Sequence, residues 1–202
     1  MGRLQLFRHA KNLFATRIAP IFENILPNSS GAAGTPFVNV VICAGLGGGM
    51  GSGTFLDMAY LIRHYLERNH PGYAVRIIGC ATTAALTLSQ DPALEKDTAR
   101  RESIRNNTFA ALKEIDYWMS WEEHKQAYTQ KYYDGCEITW DHAPFDLFTL
   151  LDAINADGAC IVNPFETAKT VFADMLFNLV SDETLGTTFT IDSFLSDVSS
   201  VL

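Results

Sequence analysis

The chain has 202 residues, 48% of them hydrophobic and 19% charged, and carries a formal charge of -8. A chain of this length and apolar content can bury one substantial core, and its balance is that of a folded domain rather than a disordered segment. The acidic surplus, with no run of Lys or Arg interleaved with aromatics, offers no field to hold a polyanion, which excludes nucleic acid and anionic membranes as bulk partners.

Residues 3–26 place Leu4, Phe7, Ala10, Leu13, Phe14, Ile18, Ile21 and Ile25 at steps of three and four. That spacing predicts a long amphipathic helix, ended by Pro27 and the cluster Asn28-Ser29-Ser30-Gly31. Val38 to Cys43 is a short β-branched run, as expected of a strand buried on both faces of a parallel sheet. A glycine-rich turn follows over Gly45 to Gly53, then a helix over Thr54 to Leu66 and a second strand over Ala74 to Cys80. Asp97 to Met119 is predicted as a further helix. Residues 119–144 turn polar and aromatic, which suits a hairpin excursion bending at Asp134-Gly135 and inserted on the domain surface. Phe145 to Ile154 reads as another strand, although its length also permits a helix. Pro164 to Val180 reads as a long helix with the proline in its first turn, and Asp192 to Leu202 as the start of a last one.

Alternating strands and helices predict an α/β domain in three layers, Rossmann-like, around a mainly parallel sheet. Ligands of such sheets gather outside the carboxyl ends of the strands, where the glycine turn lies. No window approaches the roughly eighteen apolar residues of a membrane span, and the N-terminus lacks a signal-peptide core, so a cytoplasmic protein without membrane insertion is expected. Cys43, Cys80, Cys136 and Cys160 form no CxxC pair and read as reduced thiols. His9, His64, His70, His124 and His142 show no metal spacing or triad, so no metal site of the protein's own is expected.

Six glycines lie within Gly45 to Gly53, directly after a strand and before a helix. Such a loop lets the backbone take positive φ and bring amide N–H groups against a ligand, and the following helix start adds roughly half a positive charge. Ser52 and Thr54 add hydroxyl donors. No Lys follows the last glycine, so this is not a Walker A loop, and a dinucleotide fingerprint laid on Gly45 and Gly47 breaks at Met50.

The run Ala44-Gly45-Leu46-Gly47-Gly48-Gly49-Met50-Gly51-Ser52-Gly53 resembles the signature loop of tubulin and FtsZ, where GGGTGSG or GGGTGTG wraps the nucleotide phosphates. Met50 stands where those families carry Thr. The resemblance implies further contacts in the same chain order. Asp97 and Arg101 match an acidic residue and an arginine that flank the ribose and phosphates, and they are equally a charge pair on a solvated helix face. Asn155 matches the asparagine that reads the guanine edge, with Asp152 as a neighbour able to serve instead. Phe165 matches an aromatic ring stacked on the base, or else a core residue at a helix start. Lys169 occupies the position one turn later where an asparagine would be expected. Asp192 and Asp197 loosely match the acidic loop that enters the next subunit's nucleotide site and polarises the attacking water, although Asp192 also suits a helix N-cap.

Over nearly the whole chain the resemblance is to the bacterial tubulin-like relatives of FtsZ, through Phe109-Ala110-Ala111-Leu112-Lys113-Glu114 and Pro144-Phe145-Asp146. It implies a guanine nucleotide, GTP or GDP with Mg²⁺, self-association into filaments, and GTP hydrolysis at a subunit interface. It also implies that residues 1–202 are a tubulin/FtsZ-type domain incomplete at its N-terminal half, with little turnover alone and with the absent half as a partner. A degenerate assembly or scaffold module of the same fold is the alternative.

Overall fold

The apolar runs and amphipathic stretches fold into helices on both faces of a parallel sheet. The structure, a computed structural model, describes residues 2–26, 36–90, 93–155 and 157–184; the expected helix over 192–202, with Asp192 and Asp197, lies outside them.

The N-terminal stretch forms α1 (Gly2–Leu13), one π turn (Phe14–Ile18) and α2 (Ala19–Ile25). The π turn, marked by the bond from the Ala19 amide to the Phe14 carbonyl, adjoins Pro20, which has no amide to continue the ordinary ladder. Then come β1 (Phe37–Gly45), α3 (Gly51–Asn69), β2 (Ala74–Thr82), α4 (Ala84–Ser89), α5 (Ala93–Lys96), α6 (Thr98–Met119) and α7 (Trp121–His124). They are followed by β3 (Tyr128–Tyr133), β4 (Cys136–Trp140), β5 (Leu147–Leu151) and α8 (Pro164–Thr184). The helices α4, α5 and α7 are too short to leave a periodic signal in the sequence. No helix among the described residues is long and apolar enough to cross a membrane.

The sheet runs β1-β2-β5, all parallel, with Val40 opposite Ile77 and Cys43 opposite Cys80 opposite Thr149. Alternation along the strands divides the core in two. Val38, Ile77 and Ala81 meet Leu6, Phe55, Ala59, Ala111 and Ile115 from α1, α3 and α6 on one face. Ile78, Cys80 and Leu151 meet Leu86, Ala168, Val171 and Met175 from α4 and α8 on the other. The strand expected from Phe145 begins two residues later. Phe145 is a core residue, only 2% exposed. The Asp146 carboxylate accepts the Ile77 amide at 2.6 Å and Arg63 Nη2 at 2.8 Å, while its amide donates to the Ile77 carbonyl.

The hairpin turns at Asp134-Gly135, where Gly135 has φ +88°. It is not an appendage. Tyr132, Cys136, Ile138 and Trp140 are all buried in the larger core, because the alternate residues of β4 form one apolar face. Trp140 stacks on Tyr60 with ring centroids 4.3 Å apart.

Beneath that hairpin lies Asp57, 2% exposed in the middle of α3. Its carboxylate takes Arg3 Nε at 2.9 Å and the Tyr132 hydroxyl at 2.8 Å. Burial holds its acidity below that of an ordinary carboxyl, and the Arg3 charge and the Tyr132 hydroxyl pull the other way. Arg3→Ala strips this anion of its cation. The expected cost is about 2–3 kcal/mol at pH 7, below the range for a fully buried pair because Arg3 is partly exposed. Without Arg3 the folded pKa of Asp57 rises further, so the variant takes up this proton at a higher pH than the native chain and the cost shrinks as pH falls. Urea unfolding at pH 7 and pH 5 measures it; a loss equal at both pH values would refute the account.

Candidate functional site

The chain leaves β1 at Gly45, makes a tight bend and enters α3 at Gly51. The Leu46 amide is still tied to the sheet through the Thr82 carbonyl at 3.0 Å. The Asn107 side chain, from α6, donates to the Gly47 carbonyl at 3.0 Å. The bend therefore sits at the carboxyl ends of β1 and β2, held by sheet and helix together.

The glycines of this bend differ in what demands them. A Cβ on Gly51 would lie 2.4 Å from the Gly45 carbonyl oxygen, and one on Gly47 would lie 2.7 Å from Ile104. One on Gly53 would come within 3.1 Å of the Arg3 nitrogen. These three are glycine because the fold is tight there. Gly49 has nothing within 4 Å of its Cβ position, and Gly48 only the Gly45 carbonyl at 3.9 Å. Both are exposed, so the open part of the loop is glycine without a steric demand from the described residues. The expectation of positive φ is not met: among described glycines only Gly135 and Gly158 have it. Close approach of backbone to backbone, rather than left-handed conformation, explains the loop.

Two loop amides are used internally. Gly48 N–H points to the Gly45 carbonyl at 3.4 Å, a long contact, and Ser52 N–H to the Gly48 carbonyl at 3.0 Å. The hydroxyls of Ser52 and Thr54 donate to the carbonyls of Gly48 and Met50, at 2.8 Å and 2.9 Å. Met50 is 62% exposed just before α3.

Beside the bend opens a cleft of about 280 Å³. It is lined by Cys43 and Gly45 of β1, Cys80 and Thr82 of β2, Leu86 of α4, Leu151 of β5, and Phe165 and Lys169 of α8. Phe165 is 38% exposed. The Lys169 ammonium lies 5.1 Å from the Phe165 ring centre and 2.6 Å from Glu166 Oε2. Phe165 and Lys169, 120 and 124 residues after Gly45 in the chain, thus share one cavity with it.

The remaining candidates stand elsewhere. Asn155 folds its own loop, its Oδ1 accepting the amides of Asp157 and Ala159 at 3.1 Å and 2.8 Å. It lines a neighbouring cavity of about 200 Å³ with Asp152. Asp152 in turn accepts the Thr83 hydroxyl at 2.5 Å and the Ala153 amide at 2.7 Å, joining the ends of β2 and β5. Asp97 is the N-cap of α6, accepting the Arg100 amide at 3.0 Å. Arg101 lies one turn before Ile104, the residue against Gly47. Asp192 and Asp197 lie outside the described residues. Among the described residues no group of three or more His, Cys, Asp or Glu is placed to hold a metal.

Sequence reasoning overlooked Cys43 and Cys80 as neighbours across two strands, because pairing register is not visible in either strand alone. It overlooked Asp57 as well. A lone charge within Phe55-Leu56-Asp57-Met58-Ala59-Tyr60 was the available signal.

The two kinds of glycine separate in stability. Gly51→Ala forces a carbon into the Gly45 carbonyl and should cost about 1–3 kcal/mol, whereas Gly49→Ala should stay within about 0.5 kcal/mol of the native chain. Urea denaturation of both variants tests this, and equal losses would contradict it.

Comparison with known proteins agrees with this architecture at the level of family. No curated protein and no solved structure matches the chain. A family model described as "Tubulin like" matches residues 1–200, nearly the full length, and with its parallel sheet and glycine bend the chain belongs to that tubulin-like family.

Proposed function

We propose that the chain is the nucleotide-binding part of a GTP-binding protein that assembles into filaments, with hydrolysis completed at the contact between subunits. One observation carries this reading: Gly45, where the chain enters the glycine bend, and the first turn of α8 line a single cleft at the carboxyl end of the sheet. In it, the apolar cleft takes the base, with Phe165 against the ring, and the open backbone at Gly48 and Gly49 approaches the phosphates. Among the described residues nothing lies within 4 Å of the Gly49 Cβ position, which leaves room on that side of the loop for a phosphate-sized group. Mg²⁺ arrives with the nucleotide and neutralises phosphate charge. Asp192 or Asp197 of an adjoining copy would orient the attacking water, in keeping with the split of the site between subunits.

A second reading, a scaffold module of the same fold that no longer binds nucleotide, draws on separate observations. The hydroxyls of Ser52 and Thr54 are spent on the chain's own carbonyls. The Asn155 carbonyl oxygen is engaged by its own loop, and Lys169 is bound to Glu166.

Equilibrium titration with labelled GTP, GDP and ATP in Mg²⁺ distinguishes the two. The first reading expects GTP and GDP to bind and Gly49→Val, a position with open space, to weaken them at least tenfold while the unfolding midpoint holds. Light scattering should then rise with GTP, and Asp192→Ala should abolish phosphate release without loss of binding. No binding of GTP or GDP by the folded chain would sink the first reading and favour the second.

A further inference from the structure

The cleft contains a pair of thiols that nucleotide binding does not need. Cys43 on β1 and Cys80 on β2 are direct register partners in the parallel ladder. Neighbouring strands lie about 4.8 Å apart, within the Cα separation that a disulfide spans, about 4.4–6.8 Å. Both side chains project to the face covered by α8, and both line the cleft. Their exposure differs sharply: Cys43 is exposed, whereas Cys80 lies beneath it at 4%.

We propose that Cys43 is a peroxide-reactive thiol and that Cys80 resolves its oxidised form into a disulfide bridging β1 and β2. The oxidant is hydrogen peroxide or an alkyl hydroperoxide. The Cys43 thiolate attacks one peroxide oxygen, the O–O bond breaks, and the departing oxygen leaves as water or alcohol after taking a proton. Cys43 is then a sulfenic acid. The Cys80 sulfur attacks the Cys43 sulfur, the S–O bond breaks, and the hydroxyl leaves as water with the Cys80 proton. The two thiols supply two electrons and the peroxide accepts them.

The surroundings assign the two roles. Cys80 hydrogen-bonds Cys43 and holds its pKa down at about 7, against the opposing effect of burial. The same hydrogen bond, then burial, push the Cys80 thiol far up, so that it keeps its proton until it is needed. The other charged groups facing the cleft are few. Lys169 comes from α8, already paired with Glu166 at 2.6 Å, while α4 and β5 present Leu86 and Leu151. Burial pushes the Cys136 thiol up, and Cys160 is exposed but lies outside the cleft. A reactive thiol needs both a thiolate and access. Cys43 combines them.

The test uses the full chain and contains no nucleotide, so its outcome is independent of the proposed function. One equivalent of hydrogen peroxide at pH 7 is followed by blocking of free thiols, digestion and mass spectrometry. The expected product is a peptide pair joined through Cys43 and Cys80, lighter by two hydrogens. In Cys80→Ala, a 1,3-dione probe should capture a sulfenic acid at Cys43, and the pH midpoint for iodoacetamide labelling of Cys43 should rise by at least one unit. Oxidation of Cys160 ahead of Cys43, or a Cys43 sulfenic acid that persists in the native chain without the bridge, would overturn the proposal. If Cys80→Ala does not fold by circular dichroism, the cross-linked peptide in the native chain decides alone.

Discussion

The constraint on which the architecture turns is the distance between the Gly45 carbonyl oxygen and the α-carbon of Gly51. Any side chain at that α-carbon would begin 2.4 Å from the oxygen. Only because Gly51 has none can the chain leave the sheet and start α3 within a few residues. This tight bend brings Phe55 and Ala59 over Ile77 and Ala81, and it leaves Gly48 and Gly49 exposed. The fold and the candidate site draw on one loop, through different glycines of it.

That division also explains what was legible in the sequence. The β-branched run before the glycines and the amphipathic stretch after them announced strand, bend and helix, and the loop's resemblance pointed to the tubulin-like family, which the family match bears out. Periodicity showed the helix from Thr98 to Met119 closely, since 22 residues contain six turns of repeating pattern. It could not show α4, of 6 residues, nor the place of the hairpin. A polar, aromatic excursion reads as surface until the alternation Cys136, Ile138, Trp140 is set against Tyr60 from a helix some eighty residues away. Long-range contacts of this kind leave no local trace.

The site was legible unevenly for the same reason. Gly45, Phe165 and Lys169 were named separately and converge on one cleft. Asn155 and Asp97 illustrate the opposite case, in which short polar side chains satisfy nearby backbone amides and so shape their own loop or helix end. Residue type and order point to both outcomes alike; only the direction of the hydrogen bonds tells them apart. The Cys43 and Cys80 pair depended on strand register, a property of two segments jointly.

The carboxylate of Asp57 joins three segments that the chain order keeps far apart: the first turn of α1 through Arg3, the middle of α3, and β3 through Tyr132. Lifting the hairpin or fraying α1 would leave this buried carboxylate with one ligand fewer. Neither segment has an inexpensive way to detach by itself, so the terminal helix and the hairpin should exchange their amide hydrogens at rates near that of the whole domain, as a single cooperative unit.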